Sequence, residues 1–429
     1  MSNTEILKKN IFDGRYDKTF TTLYGAENVK AAHERYAKVI SSFVQTYGDK
    51  QETLVLSVPG RSEISGNHTD HNHGRVIAAS VDCDMIAIAS ADCGNKVRIK
   101  SDGYKEDCVD LSRLSPDDYP RFKSVGLVAG MCAAIKNAGY KVGPLCAYTS
   151  SNVLKGSGLS SSAAFEVLVG TVINHLYNDG KIPPVVIAKF AKWSENNYFG
   201  KPCGLMDQMA CAIGGFVEID FENPDEPKYE KIDFDLTGMG YDLCIVNTGG
   251  SHADLNDDYA SIPAEMKAVA SFFGKNVLRG VTEEQLLENA AAIREKCGDR
   301  ALLRALHFVR ENDLVPHIAS AMKGGMLDKF LAGVSASGDS SFKYLQNVFS
   351  PKFPAEQGET LALYVAARAL ARFPQPGACR VHGGGFAGTM QAFVPRLYTE
   401  AFRNEIDSVM GKGACMVMHV RPVGAVRVC

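Results

Sequence analysis

Residues 156–164 read Gly-Ser-Gly-Leu-Ser-Ser-Ser-Ala-Ala, a glycine turn that runs directly into an apolar helix with three hydroxyl groups at its start. The glycines let the backbone aim its N–H groups at one point, and the first helical turn adds unpaired donors and a positive dipole end. The segment predicts a cradle for an anion, with phosphate as the expected ligand. A turn that only caps a core helix is the alternative, and the Gly-Lys-Ser/Thr of a Walker loop is missing.

The helix after this turn is apolar on nearly every side. Apolar residues recur at helical spacing, and further apolar residues lie between them: Ala164, Val167, Leu168, Val169, Val172, Ile173 and Leu176. Such a pattern predicts a buried helix, which gives the preceding turn a stiff base.

Length and composition indicate a globular protein of more than one domain. A chain of 429 residues exceeds one ordinary core, so we expect two domains of about 200 residues each. The net charge of −3 gives no reason to expect a nucleic-acid partner. No apolar run reaches membrane-spanning length and the first ten residues lack a signal-peptide stretch, so a cytoplasmic location is expected. The 12 cysteines are scattered without a Cys-x-x-Cys pair, which favours reduced thiols.

Strand and helix patterns alternate along the chain, which indicates a mixed α and β fold. The first 50 residues look helical, and short β-like runs follow at 54–58, 75–81, 85–89 and 97–100. The segment 220–231 is rich in Asp, Glu, Asn and Pro, and it sets the predicted boundary between domains 1–219 and 220–429. Near the C-terminus, a glycine-rich turn at 383–388 joins two predicted strands and lets backbone approach a ligand or another loop.

A second polar cluster occupies residues 59–74 and is predicted to form a loop between strands. A metal site from His68, Asp70, His71 and His73 is one interpretation, because imidazole and carboxylate are ordinary zinc ligands. Dense donors and acceptors on a glycine-flanked loop better fit a polyhydroxylated ligand, which needs directional partners. A solvated polar loop is the remaining alternative.

A third cluster combines Glu195 with residues 200–208, Gly-Lys-Pro-Cys-Gly-Leu-Met-Asp-Gln. Asp207 is expected to open a helix after a glycine turn, where the helix dipole favours the ionised carboxylate. Each carboxylate also has a plainer interpretation, as an ordinary charge at a helix end.

The three clusters together resemble, in order and spacing, the signatures of the small-molecule kinases that phosphorylate galactose, homoserine, mevalonate and phosphomevalonate. The first signature is matched by Gly60-Arg61 and residues 66–74, the second by 156–164 and the third by 383–388. Residues 202–208, Tyr259 and the group Arg304, His307 and Glu311 agree with the galactokinase branch of that family. The resemblance spans about residues 20–429.

The resemblance implies a two-domain α+β fold with the active site in the cleft. The N-terminal α/β domain would be similar to a ribosomal-protein domain, and the C-terminal α+β domain would have a ferredoxin-like layout. The expected activity is ATP-dependent phosphorylation of the anomeric (C1) hydroxyl of galactose by a monomer, with Mg²⁺ as cofactor.

The resemblance also assigns roles to residues at matching positions. Asp207 and Arg61 would be catalytic, with Asp207 facing the anomeric hydroxyl, and Ser162 and Glu195 would hold Mg²⁺. The sugar would be lined by Asn67, His68, Asp70, Gly204 and Tyr259. The ATP phosphates would lie on Gly156, Ser157, Gly158, Leu159, Ser160 and Ser161.

Departures from the galactokinase pattern affect the substrate more than the reaction. Galactokinases usually carry Glu at the position of Asn67, Asn at Glu63 and Tyr at His71, and the Arg-Arg pair usual after the tyrosine is missing behind Tyr259. N-acetylgalactosamine, galacturonate and arabinose are therefore alternative substrates. A non-catalytic sugar sensor is the alternative outside the enzymes, although its relatives shorten the serine-alanine run that is full length at 160–164.

Overall fold

The computed structural model describes residues 3–153, 158–201, 203–250 and 255–429. The chain begins with three helices, α1 (Asn3–Phe12), α2 (Asp17–Tyr24) and α3 (Val29–Tyr47). Strands β1 (Leu54–Ser65), β2 (Arg75–Ser90), β3 (Val97–Ser101) and β4 (Glu106–Val109) follow, and then α4 (Ser124–Asn137) and β5 (Leu145–Ser151). The first half continues with α5 (Ser161–Tyr177), α6 (Pro184–Ser194), α7 (Met206–Ile213), β6 (Phe216–Asp220) and β7 (Lys228–Ile232).

The second half is mainly helical around a small sheet. Its helices are α8 (Asn256–Phe272), α9 (Glu283–Glu288), α10 (Ala290–Cys297), α11 (Asp299–Lys323), α12 (Leu327–Ser340), α13 (Gly358–Leu370) and α14 (Thr399–Met410). Its strands are β8 (Tyr241–Asn247), β9 (Ala378–Val381), β10 (Thr389–Pro395) and β11 (Cys415–Met418), and the short β12 (Val426–Arg427) follows.

Two sheets organise these elements. In the first sheet the strands run in the order β12-β1-β2-β5-β3-β4, and β6 pairs with β2 and with β7. The β3–β5 pair is parallel, and the other pairs are antiparallel. The second sheet has the order β11-β8-β10-β9 and is antiparallel throughout.

Helices cover both faces of the first sheet because the side chains of β1 and β2 alternate between the faces. One face carries Val55 and Ile88, which pack with Phe43 and the other apolar residues of α1–α3. The opposite face carries Leu56 and Ala87, which pack with α4–α7. Helix α5 is buried along most of its length, as its all-round apolar pattern predicts.

The two halves share a core, and the C-terminal end of the chain adds a strand to the first sheet. Ile64 and Ile77 of the first sheet lie in one apolar cluster with Leu243 and Phe393 of the second sheet. After β11 the chain returns to the first sheet, where β12 pairs with β1. The predicted boundary between residues 219 and 220 stays a prediction.

Most of the predicted elements are present, and two predictions about the first sheet are wrong. The N-terminal helices and the two strands beside the 383–388 turn are confirmed. Residues 59–65 are strand rather than loop, because they pair with β2 across two register shifts. The separate strands expected at 75–81 and 85–89 are one strand, since the intervening Asp84 is buried with polar partners.

Two other regions also differ from the sequence-based expectations. The segment 220–231, which sets the predicted domain boundary, contributes part of a hairpin, because β7 pairs with β6. Cys93 and Cys146 form a disulfide, where reduced cysteines are expected from the sequence. Among the described residues, no helix has both the length and the apolar character needed to cross a membrane.

Candidate active site

Arg61 and Asp207 form an ion pair at the junction of β1 and α7. Arg61 follows the first register shift of β1 and is 5% exposed, and Asp207 lies in the first turn of α7. The Nε atom of Arg61 donates to Oδ1 of Asp207 over 2.7 Å, and the Ser160 hydroxyl donates to Oδ2. The structure therefore brings both predicted catalytic residues together with one residue of the predicted phosphate loop.

The ion pair keeps the carboxylate of Asp207 charged. Burial raises the pKa of Asp207, but the guanidinium of Arg61 and the hydrogen bonds from Arg61 and Ser160 outweigh burial, so its pKa lies below the usual value. Burial lowers the pKa of Arg61 and Asp207 raises it, with a net increase. Asp207 is therefore an ionised acceptor with a fixed orientation at neutral pH.

The phosphate loop enters α5 through a left-handed residue. Ser160 has φ 57°, and α5 begins at Ser161 as expected. Arg61 donates a hydrogen bond to the Gly158 carbonyl, and the N–H of Arg61 donates to the Leu159 carbonyl over 3.2 Å. Gly156 and Ser157 lie outside the described residues, so their predicted contact with phosphate is not placed.

Gly158 packs tightly against the second half of the chain. Its φ is +66°, and a Cβ on it would lie 2.9 Å from Thr389 Oγ1 and 3.1 Å from His382 Nδ1. His382 is 1% exposed and its Nε2 has no hydrogen-bond partner among the described residues. Nothing in the motifs pointed to His382, which precedes the glycine-rich turn.

Asp70 and Gly204 lie in close contact. A Cβ on Gly204 would stand 1.6 Å from Asp70 Oδ2, so glycine is required for this approach. Burial raises the pKa of Asp70, His68 lowers it and Asp207 raises it, with a net increase. Two of the predicted sugar-lining residues, Asp70 and Gly204, are thus in contact, and Asp70 is close enough to Asp207 for the two carboxylates to interact electrostatically.

Backbone carbonyls of the glycine-rich turn contact one side chain of the polar cluster and one of helix α8. His68 Nε2 lies 3.0 Å from the Gly384 carbonyl, and Tyr259 Oη donates to the Gly385 carbonyl over 3.0 Å. A Cβ on Gly384 would lie 2.5 Å from the Tyr259 ring, so this position needs glycine. The turn therefore joins two further predicted sugar-lining residues.

Asn67 is different, because its side chain is fully engaged inside the protein. It is 0% exposed and donates to Glu63 Oε1 over 2.8 Å and to the Gly383 carbonyl over 2.7 Å. Its amide oxygen accepts from Asn347 over 2.8 Å and from Ser341 over 3.2 Å. All of its amide donors are used within the protein, so its expected contact with a sugar stays a prediction.

Helix α11 holds the polar cluster from the second half. His307 Nε2 lies 2.9 Å from the Asn67 carbonyl, and Glu311 accepts from the Gly66 N–H over 2.8 Å and from the Ser65 hydroxyl over 3.0 Å. Both side chains are fully buried. Their i, i+4 spacing on one helix face was visible in the sequence. Their hydrogen bonds to residues 65–67 could not be predicted from it.

The predicted cation ligands lie beside a carboxylate that the sequence analysis missed. Glu195 is 2% exposed and Glu166, on α5, is 0% exposed. Burial and the neighbouring Glu195 carboxylate raise the pKa of Glu166 well above its usual value. Glu166 follows Ser162 by one helical turn, a spacing that places both on one face of α5.

The zinc interpretation of the histidine-rich segment finds no support. His68 Nδ1 lies 3.2 Å from His71 Nε2, and burial lowers the pKa of both imidazoles. In the parts of the chain that the structure describes, no group of three or more His, Cys, Asp or Glu side chains is arranged to hold a metal ion. A cation at Ser162 and Glu195 would therefore need oxygen atoms from its nucleotide and from water.

Comparisons with known proteins show which family the chain resembles. Residues 126–215 match the GHMP kinases N terminal domain, and residues 41–91 match the galactokinase galactose-binding signature. A galactokinase of Glaesserella parasuis serovar 5 (strain SH0165) is 30% identical over 375 residues, which cover 85% of this chain and 91% of that protein. A galactokinase of Clostridium tetani is 28% identical over 381 residues, with 86% and 91% covered.

Solved structures confirm the expected two-domain kinase fold. Lactococcus lactis galactokinase complexed with galactose aligns with a TM-score of 0.77 at 24% identity, covering 92% of this chain and all of that one. Methanococcus jannaschii mevalonate kinase aligns with a TM-score of 0.60 at 13% identity, covering 86% and 99%. At these identities the structures establish the fold alone.

Proposed function

The chain belongs to the galactokinase family, and we propose that it transfers the γ-phosphoryl group of ATP to the anomeric C1 hydroxyl of galactose, giving galactose 1-phosphate. The observation that carries the proposal is the Arg61–Asp207 ion pair, in which Asp207 also accepts from Ser160 of the phosphate loop and raises the pKa of Asp70. A carboxylate in contact with the predicted anion cradle and close to the predicted sugar-binding groups suits phosphoryl transfer to a hydroxyl.

Asp207 would orient the attacking hydroxyl and receive its proton. A carboxylate with a lowered pKa is a weak base, but phosphoryl transfer passes through a loose transition state in which positioning and charge neutralisation matter most. Arg61 would hold Asp207 in place and neutralise charge on the transferred group. The N–H groups at the start of α5 would receive the phosphates of ATP.

Mg²⁺ fits the carboxylate and hydroxyl oxygens near the start of α5. The Oε1 atom of buried Glu195 has no hydrogen-bond partner among the described residues, and a hard dication is a suitable partner for such an oxygen. We propose that Ser162 and Glu195 hold it. When bound, Mg²⁺ neutralises charge on the phosphate oxygens.

Sugar recognition would use His68, Asp70, Gly204 and Tyr259. Asn67 would support these residues through its buried hydrogen bonds to Glu63 and Gly383. Galactose is the proposed substrate ahead of N-acetylgalactosamine, galacturonate and arabinose, because these four residues keep the galactokinase pattern. We further propose that the enzyme acts as a monomer in the cytoplasm.

A kinase assay across the four sugars tests the proposed function. The purified protein should release ADP in a galactose-dependent and Mg²⁺-dependent reaction, with galactose giving the highest kcat/KM. A protein that binds galactose and ATP without turnover would instead be a sugar sensor. A higher kcat/KM for one of the other sugars would reassign the substrate and leave the reaction type in place.

A further inference from the structure

Two buried carboxylates meet at the side chain of Gln208. The Nε2 atom of Gln208 donates to Glu195 Oε2 over 3.0 Å and lies 3.5 Å from Glu166 Oε2. One amide nitrogen therefore lies within 3.5 Å of an oxygen of each carboxylate. Gln208 itself is 1% exposed, so bulk water does not separate the two groups.

The second oxygen of each carboxylate is left without a hydrogen bond. Oε1 of Glu166 and Oε1 of Glu195 are both buried and have no hydrogen-bond partner among the described residues. The Nζ atom of Lys201 lies 3.7 Å from Glu195 Oε1, too far for a hydrogen bond, on a side chain that is 57% exposed. A buried carboxylate oxygen without a partner is costly, so a specific ligand is expected here.

Ser162 offers a further oxygen on the same helix as Glu166. Ser162 and Glu166 are four residues apart on one helix, so their side chains lie on one face, and Glu195 lies at the end of the packed helix α6. The hydroxyl of Ser162 and the carboxylates of Glu166 and Glu195 are thus three oxygen ligands of the kind that Mg²⁺ prefers, carried by two packed helices.

We propose that Glu166 is a protein ligand of the same divalent cation as Ser162 and Glu195, an inference that rests on the proposed function. Mg²⁺ takes six oxygen ligands in octahedral geometry, so three from the protein leave three positions for phosphate oxygens and water. Gln208 occupies the Oε2 atoms and leaves both Oε1 atoms available to the cation.

Mn²⁺ binding to the full chain tests the proposal without relying on turnover. Electron paramagnetic resonance measures the free Mn²⁺ in the presence of a non-hydrolysable ATP analogue, which gives a dissociation constant. Glu166→Gln should weaken Mn²⁺ binding about 10-fold or more, and Glu195→Gln should do the same, because a neutral amide is a poorer ligand for a hard dication. Glu218→Gln, which removes one carboxylate from β6, is the matched control and should leave Mn²⁺ affinity unchanged.

An unchanged Mn²⁺ affinity in Glu166→Gln would overturn the proposal and leave Glu166 as a neutral buried acid behind Glu195. If Glu166→Gln does not fold, Glu166→Asp decides the matter, since withdrawing the carboxylate by one methylene should weaken Mn²⁺ binding at least about threefold. Failure of the proposed function is a separate result, because it would appear as a wild-type protein that binds Mn²⁺ with the analogue but phosphorylates no sugar.

Discussion

Gly204 lies so close to Asp70 that a methyl group on Gly204 would overlap the carboxylate, with 1.6 Å between its Cβ and Asp70 Oδ2. Gly204→Ala should therefore displace Asp70 and lower kcat/KM for galactose about 100-fold, as expected when a substrate-binding group is moved by about 1 Å. Steady-state kinetics with galactose at saturating ATP measure the effect.

Gly126→Ala is the control for this substitution. Gly126 lies in α4, and a Cβ there would meet the Tyr198 carbonyl at 3.4 Å, an ordinary contact. Its kinetics should match those of the wild type. A Gly204→Ala protein with wild-type kcat/KM would show that Asp70 does not contribute to galactose binding.

Asp207→Asn should fold normally, bind ATP analogues normally and turn over about 100-fold more slowly or worse. The amide keeps the shape of the side chain but cannot accept the proton of the hydroxyl. Turnover, analogue affinity and the midpoint of thermal unfolding check the three parts of the prediction.

Asp299→Asn gives a matched comparison for Asp207→Asn, because Asp299 also lies in the first turn of a helix and pairs with an arginine, Arg294, at the surface. Its turnover should be unaffected. Near-wild-type turnover in Asp207→Asn would remove Asp207 from the reaction.

Asn67→Glu should be destabilising on its own and tolerated when Glu63→Asn accompanies it. Glu63 Oε1 accepts from Asn67 and from Arg380 over 2.8 Å each, so a second carboxylate at residue 67 would face the first and lose the hydrogen bond to Gly383. The single variant should lose about 3 kcal/mol of unfolding free energy or more.

The double variant restores one carboxylate and one amide in the network. It should recover about 1–3 kcal/mol relative to the sum of the two single changes, which is the coupling usual for residues in contact. Urea unfolding of the four proteins gives the coupling energy. Purely additive effects would contradict the direct contact between Glu63 and Asn67.

His71→Gln should make the protein less sensitive to mild acid. Burial and the nearby His307 lower the pKa of His71 to about 4, while an unfolded histidine titrates near 6.5. Between these values the unfolded state binds one more proton than the folded state, so stability falls as pH falls through this window.

The wild-type unfolding free energy should therefore change by about 1.4 kcal/mol per pH unit more steeply than that of His71→Gln between pH 6.5 and 4. Urea unfolding at several pH values measures both slopes. His317→Gln, at the exposed surface of α11, controls for the loss of an imidazole. Equal slopes in wild type and His71→Gln would show that folding does not lower the pKa of His71.

Local patterns predicted the elements that hold the site. The glycine-serine turn predicted a helix directly after it, which begins at Ser161, and the glycine turn before Asp207 predicted the start of α7 to within one residue. These predictions succeed because helix starts depend on residues that are neighbours in sequence.

Distant contacts explain what the sequence did not predict. Ser62 and Glu63 lie in a buried strand because they bond to Gln391 and Arg380, more than 300 positions away, and residue spacing carries no information on such pairs. The same holds for Asn67, whose burial depends on Asn347. Glu166 was missed because it reads as one polar residue in an apolar helix, and only its distance to Gln208 connects it with Glu195.

The return of the chain to the first sheet also affects folding during synthesis. Arg421 is buried against Ser57 and Asp84, and Val426 and Arg427 pair with β1. While the ribosome is still making the second half, β1 therefore has one open edge and Asp84 lacks one of its arginine partners. The first half is thus not a complete folding unit as it emerges, and its sheet closes only after residues 421–427 have been synthesised.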